Sequence, residues 1–151
     1  MRGAVDGGTP VRRRGEGGHR TVAHGGDVRV EAWGTSREQC LGEAVLGLVE
    51  SFADVSAAHA DAARRLRFEE GSDDDLLADL LDEVVHRLEA HGEVPVDVEV
   101  ESAGGELDVR LAVVRLARVR VTGSVPRDVA WNELRMGPDA YGWSCAVTAD
   151  V

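Results

Sequence analysis

From Pro95 to Val151 the chain never returns to a helical period, which excludes most of the folds open to it. Val96, Val98 and Val100 alternate with Asp97, Glu99 and Glu101. Gly104-Gly105 supplies a hairpin turn, and Leu107 to Val121 alternates again as one bent strand or two. Alternation of this kind marks strands with one wet face, and paired glycines allow the positive φ angles of a tight hairpin. Val129, Trp131 and the Leu134–Met136 region predict a further strand, Gly137-Pro138-Asp139 a turn, and Tyr141–Val151 a closing strand. Strands joined by such short turns pair antiparallel.

Two helices precede this block. Thr35-Ser36-Arg37-Glu38 reads as a capping box, with Thr35 as the N-cap. Leu41, Ala44, Val45, Leu48, Val49 and Phe52 then recur at helical spacing over about 17 residues. Ser72 caps the second helix, and Asp73, Asp74 and Asp75 follow where the helix dipole favours anions. Leu76, Leu77, Leu80, Leu81, Val84, Val85 and Leu88 form its apolar face, and Gly92 ends it. Thr21–Trp33 and the run around Leu66 and Phe68 predict one strand before each helix. Strand, helix, strand, helix and then four or five strands make an α+β domain with two helices packed on a mostly antiparallel sheet or sandwich. No Gly-rich phosphate loop follows a strand, so a doubly wound nucleotide fold is excluded.

Charge divides the chain. The net charge is −11, and every basic residue is Arg. Residues 1–20 carry five Arg against Asp6 and Glu16, a net of +3, which leaves −14 for the rest. The first segment is Gly- and Arg-rich without periodicity and is expected to be a disordered tail over 1–20, with the domain over 21–151. Its Arg12-Arg13-Arg14 cluster can touch RNA or another acidic surface, or simply be solvated. A body so acidic repels phosphates, so contact with RNA is expected only indirectly, through a partner. Charged residues make up 30% and no apolar run reaches the roughly 18 residues of a membrane span. No secretory h-region opens the chain, so a cytoplasmic location away from membranes is expected. Cys40 and Cys145 are not spaced as metal ligands and read as buried free thiols.

Little here resembles a catalytic centre. The histidines at 19, 24, 59, 86 and 91 lack zinc spacing, and no nucleophile stands beside a base. What remains is oxygen chemistry. Gly25-Gly26 lets the chain turn sharply and present Asp27 at the mouth of a strand. Asp150 and the terminal carboxylate of Val151 stand together at the other end of the sequence. Clustered carboxylates repel unless a cation or donors lie between them. They are hard donors, suited to Ca²⁺ or Mg²⁺, and His24, Asn132 and Glu133 are candidates to complete or orient such a site. The alternative is that Asp27 only caps its own turn.

The ordered set His24-Gly-Gly-Asp27-Val28, Ala32-Trp33-Gly34, the acidic Leu-rich helix from Gly71 to Leu88, Val129-Ala130-Trp131-Asn132-Glu133-Leu134 and Asp150-Val151 resembles the archease family over residues 21–151. The resemblance implies an archease-like curved antiparallel sheet with two helices. It implies a calcium-like ion held by Asp27, Asp150 and the Val151 carboxylate, with Arg127 where the family tends to have Lys. It also implies a non-enzymatic role: activation of an RtcB-type RNA ligase in tRNA splicing or RNA repair, by promoting GTP-dependent guanylylation and turnover. Gly25-Gly26 replaces the family's Thr-Ala, and Asn132 its histidine. Two other functions fit the residues: a metal-dependent phosphoesterase using Asp27 and Asp150, and a non-catalytic structural or chaperone-like module.

Overall fold

The computed structural model describes residues 16–151, with the side chains of His24, Trp131 and Asn132 outside the described set. Among the described residues, nine strands and two α-helices follow in order: β1 (Gly18–His24), β2 (Asp27–Gly34), α1 (Arg37–Glu50), β3 (Ala53–Asp54), β4 (Ala62–Glu69), α2 (Asp73–His91), β5 (Glu93–Ala103), β6 (Glu106–Arg115), β7 (Arg120–Val121), β8 (Asp128–Asp139) and β9 (Gly142–Asp150), with a 3-10 turn at Leu116–Arg118 between β6 and β7. They form a four-stranded sheet in the order β1-β2-β9-β8, a three-stranded sheet β4-β6-β5, and the short pair β3-β7. Every pair among the described residues is antiparallel. The architecture is the expected α+β one.

Both helices serve both sheets. α1 packs against β2 and β5, and α2 against β8 and β5. The main core joins Val30, Ala32 and Val147 of the larger sheet to Leu41, Val45 and Leu48 of α1, Leu77, Leu80 and Leu81 of α2, and Val109 and Leu111 of β6. Their removal from water is the main driving term of the fold. Cys40 and Cys145 are buried and free, as expected.

The α2 caps follow the local chemistry. Ser72 accepts the Asp75 amide, and Gly92 closes the helix in the left-handed region at φ 63°. Asp74 and Asp73 do more than face solvent: Asp74 accepts the Met136 amide of β8 at 2.8 Å, and Asp73 lies 3.5 Å from Arg37. The α1 cap lies one residue later than the capping box predicts. Ser36 is the N-cap, extended at φ −129°, and its hydroxyl accepts the Gln39 amide. The Gln39 side-chain Oε1 in turn accepts from the Thr35 amide and hydroxyl. Glu38, freed from capping, binds Ser102 and Arg37. The Gly104-Gly105 turn has φ 61° and 80°, the two positive angles a type I′ hairpin requires. Gly137-Pro138 is not a turn: β8 runs through it to Asp139, and the chain reverses at Ala140-Tyr141. A proline is tolerated there because β8 is an edge strand.

The amino-terminal boundary also moves. β1 starts at Gly18, so residues 18–20, expected to end a tail, belong to the domain; residues 1–15 of that expected tail, with Arg12-Arg13-Arg14, lie outside the described residues. One strand was expected before α1 and two are present. β1 lacks an apolar signal because side chains from elsewhere fasten it. His19 lies between two glutamates of α1, with Nδ1 2.7 Å from Glu43 and Nε2 2.9 Å from Glu50. Arg20 binds Glu31 at 2.6 Å.

The hydrogen bond His19 donates to the Glu43 carboxylate, with help from Glu50, raises the His19 pKa above its usual 6.5 despite partial burial. A raised folded-state pKa means that the clamp is at full strength below pH 6.5 and fades as pH climbs through the raised value. Amide exchange in β1 is therefore expected to quicken beyond its intrinsic rate as pH rises above 6.5, and His19→Asn is expected to remove that extra dependence.

Candidate functional site

The larger sheet ends in a row of carboxylates. Gly25 and Gly26 form the two-residue β1–β2 turn, with His24 opposite Asp27. Gly25 has φ 64° while Gly26 has no positive φ, as a type II′ turn requires. Alanine at Gly25 is expected to cost about 1 kcal/mol. Alanine at Gly26 meets nothing within 4 Å and is expected to be neutral or stabilising by about 0.5 kcal/mol. Urea denaturation of the two variants measures the difference.

The turn starts β2 at Asp27. Val28 pairs with Ala149, so Asp27 and Asp150, one residue further along each strand, stand side by side. On the other flank of β9, Asp128 is directly opposite Asp150. Three aspartates thus end three neighbouring strands, which lie about 4.8 Å apart in any sheet. Like charges in that position are destabilising.

Arg127 offsets part of this repulsion. Its amide donates to the Asp150 carbonyl at 2.8 Å. Its guanidinium Nη2 donates to the Val151 main-chain oxygen at 3.2 Å and lies 3.6 Å from Asp150 Oδ1. Two of the predicted oxygen donors therefore converge on one cationic nitrogen, and Asp27 stands on the adjacent strand. Asp150 is half exposed and Arg127 more so, so the pair is weak and open to competition from another cation.

Asp128 was not picked out in the sequence. It follows Arg127 directly, and only the β8–β9 register reveals its place in the row. It accepts the Val129 amide at 2.8 Å. Its negative field reaches α2: burial first, then Asp128 and Asp79, push the Asp82 carboxyl above the usual range.

The other candidates are placed by an irregularity in β8. Its register jumps from Ala130–Thr148 to Arg135–Ala146, so residues 131–134 face Val147 alone. Within this bulge, Glu133 accepts the Thr148 hydroxyl at 3.2 Å, two residues before Asp150 on β9. The side chains of His24 and Asn132 lie outside the described residues.

Among the described residues, no three His, Cys, Asp and Glu side chains gather as a metal-binding group. The donors here are two carboxylates and a main-chain oxygen, of which the Asp150 carboxylate and the Val151 oxygen already approach Arg127. All are hard oxygens and fit calcium or magnesium rather than a soft metal. Calcium takes six to eight oxygens, so water or a partner would have to supply the remainder.

The fold and this edge define a small α+β protein built of two antiparallel sheets and two helices, with a carboxylate row and one arginine at a sheet end. Residues 19–151 match the model of the archease protein family. A probable archease from two strains of Mycobacterium tuberculosis is 45% identical over 134 residues, covering 89% of this chain and 75% of that protein. The archease of Methanosarcina barkeri is 24% identical over 134 residues, covering 85% of this chain and 92% of its own. The chain belongs to the archease family. The solution structure of a Methanobacterium thermoautotrophicum protein superposes with a TM-score of 0.72 at 18% identity, covering 89% of this chain and 99% of its own. The crystal structure of a Thermotoga maritima archease, described as a possible chaperone, superposes at 0.64 with 18% identity, covering 95% and 100%. At such identity the structural likeness is one of fold. No helix among the described residues is long and apolar enough to cross a membrane.

Proposed function

We propose that this archease is a non-enzymatic accessory protein that holds a calcium ion at Asp27, Asp150 and the main-chain carboxylate of Val151 and serves an RtcB-type RNA ligase, promoting its GTP-dependent guanylylation and turnover. The observation that carries this reading is the convergence of Asp150 Oδ1 and the Val151 oxygen on one Arg127 nitrogen, with Asp27 set beside them by the β2–β9 register. The ligase itself enters through the family resemblance.

Each residue has a distinct part. Asp27 and Asp150 are fixed at strand ends, so their charges are brought together by the sheet rather than by a flexible loop. Arg127 is tied to β9 through its backbone, so its guanidinium can leave the carboxylates without unfolding the edge. When bound, calcium supplies a concentrated positive charge with coordination positions left for a partner's oxygens. Magnesium is the other hard cation the donors suit.

The assay is ligase guanylylation, measured with GTP in the presence and absence of this protein. The wild type is expected to stimulate it, and Asp150→Ala is expected to remove the stimulation. No effect of the wild type, or full stimulation by the variant, would overturn the reading.

A further inference from the structure

A polar cavity of about 500 Å³ opens at the end of the three-stranded sheet where β4 and β5 begin and β6 ends. Its charged lining is Arg64, Arg115 and Arg118, with His91, against Asp61 and Glu93. Both acids are engaged. Glu93 is nearly buried and shared by Arg64 at 2.8 Å and Arg87 at 3.3 Å. Asp61 lies 3.5 Å from Arg118. Arg115 is exposed and makes no ion pair among the described residues. The cavity is therefore locally cationic in a chain of net charge −11.

The sequence beside it extends this inversion. From Leu111 to Pro126 there are three arginines, Arg115, Arg118 and Arg120, and no aspartate or glutamate; Arg110 and Arg127 on either side are already paired with Glu101 and Asp150. Arg115, Arg118 and Arg120, all exposed, follow one another along the turn and strand that leave the cavity. Asp61 lies beside Arg118 and Asp54 opposite Arg120, so the positive field of this run is centred on Arg115. Guanidinium groups with free donors match phosphate oxygens in geometry as well as charge.

We propose that this cavity binds a phosphoryl group, with Arg115 and Arg118 as its principal ligands and Arg120 extending the contact along a polyphosphate or nucleic-acid backbone. It shares no residue with Asp27, Asp150 and Val151, so it stands or falls independently of the metal reading. It also qualifies the expectation, drawn from total charge, that RNA is met only through a partner.

The test uses the full chain and two probes: a fluorescent single-stranded RNA of about a dozen nucleotides, within the usual range of single-strand sites, and inorganic pyrophosphate. Arg115→Glu/Arg118→Glu is the variant; both side chains are exposed, and an unchanged melting temperature confirms its fold. The wild type is expected to bind RNA, and the variant to bind at least about tenfold more weakly with a salt slope flatter by about 1.4, the share of two lost phosphate contacts on a single strand. Displacement of RNA by pyrophosphate identifies the ligand as an isolated phosphoryl group held in the cavity. RNA binding that resists pyrophosphate yet is lost in the variant identifies a strand lying along Arg115–Arg120. Wild type that binds neither probe, or a variant that binds RNA as tightly as wild type, overturns the proposal.

Discussion

Millimolar calcium is expected to raise the melting temperature of the wild-type chain and to leave Asp27→Ala and Asp150→Ala unmoved. The three aspartates at the strand ends repel in the ion-free protein, and Arg127 offsets only part of that, because its pairing is exposed and loose. A divalent cation held by the native edge and not by the unfolded chain stabilises by mass action. At about a hundred times its Kd the gain is about 2.7 kcal/mol. At about 2–4 °C per kcal/mol for a domain of this size, that is a shift of roughly 5–11 °C. Without calcium the alanine variants should melt within about 0.5 kcal/mol of wild type, since each change is at a surface position. A scanning fluorimetry series with and without calcium checks both statements.

The largest structural effect is expected at Gly142, where β9 leaves its turn. Its φ is 137°, and a Cβ there would stand 2.4 Å from the Gly34 carbonyl oxygen and 3.1 Å from the Thr35 Cα. Both neighbours are backbone, tied to the end of β2 and the start of α1, and neither can rotate away. Gly142→Ala therefore combines a strained conformation with a backbone clash and is expected to cost about 3 kcal/mol or more. Gly104→Ala is the control. It too has a positive φ, but nothing lies within 4 Å of its Cβ, so its cost should stay near 1 kcal/mol. Urea midpoints for the pair separate strain from clash; equal losses would show that the contact with Gly34 is unimportant.

Local chemistry made parts of this fold readable. Ser72, Gly92 and the Gly104-Gly105 hairpin act on their own neighbours, and each is where its sequence places it. The N-cap of α1 slipped because Thr35 and Ser36 are adjacent hydroxyls, and the identity of the residue at N3 cannot decide between them. β1 escaped notice because its anchors are non-local: His19 reaches Glu43 and Glu50, which are remote in sequence. Pro138 reads as a turn residue unless β8 is known to be a sheet edge. At the candidate site, Asp27 and Asp150 stood out as carboxylates beside a turn and a chain end, and the family resemblance paired them. Asp128 carried no such mark; only strand order and register bring it beside Asp150.

The most direct measurement of the site is a calorimetric calcium titration of the chain ending at Val151, alongside the same chain extended by a short neutral tag. Extension converts the Val151 carboxylate into a peptide carbonyl and removes one negative donor while leaving Asp27, Asp150 and the sheet in place. One calcium per chain is expected for the first protein, with clearly weaker binding for the second at an unchanged calcium-free melting temperature. No calcium binding by the unextended chain, or equal affinity for both, would contradict a site built from Asp27, Asp150 and Val151.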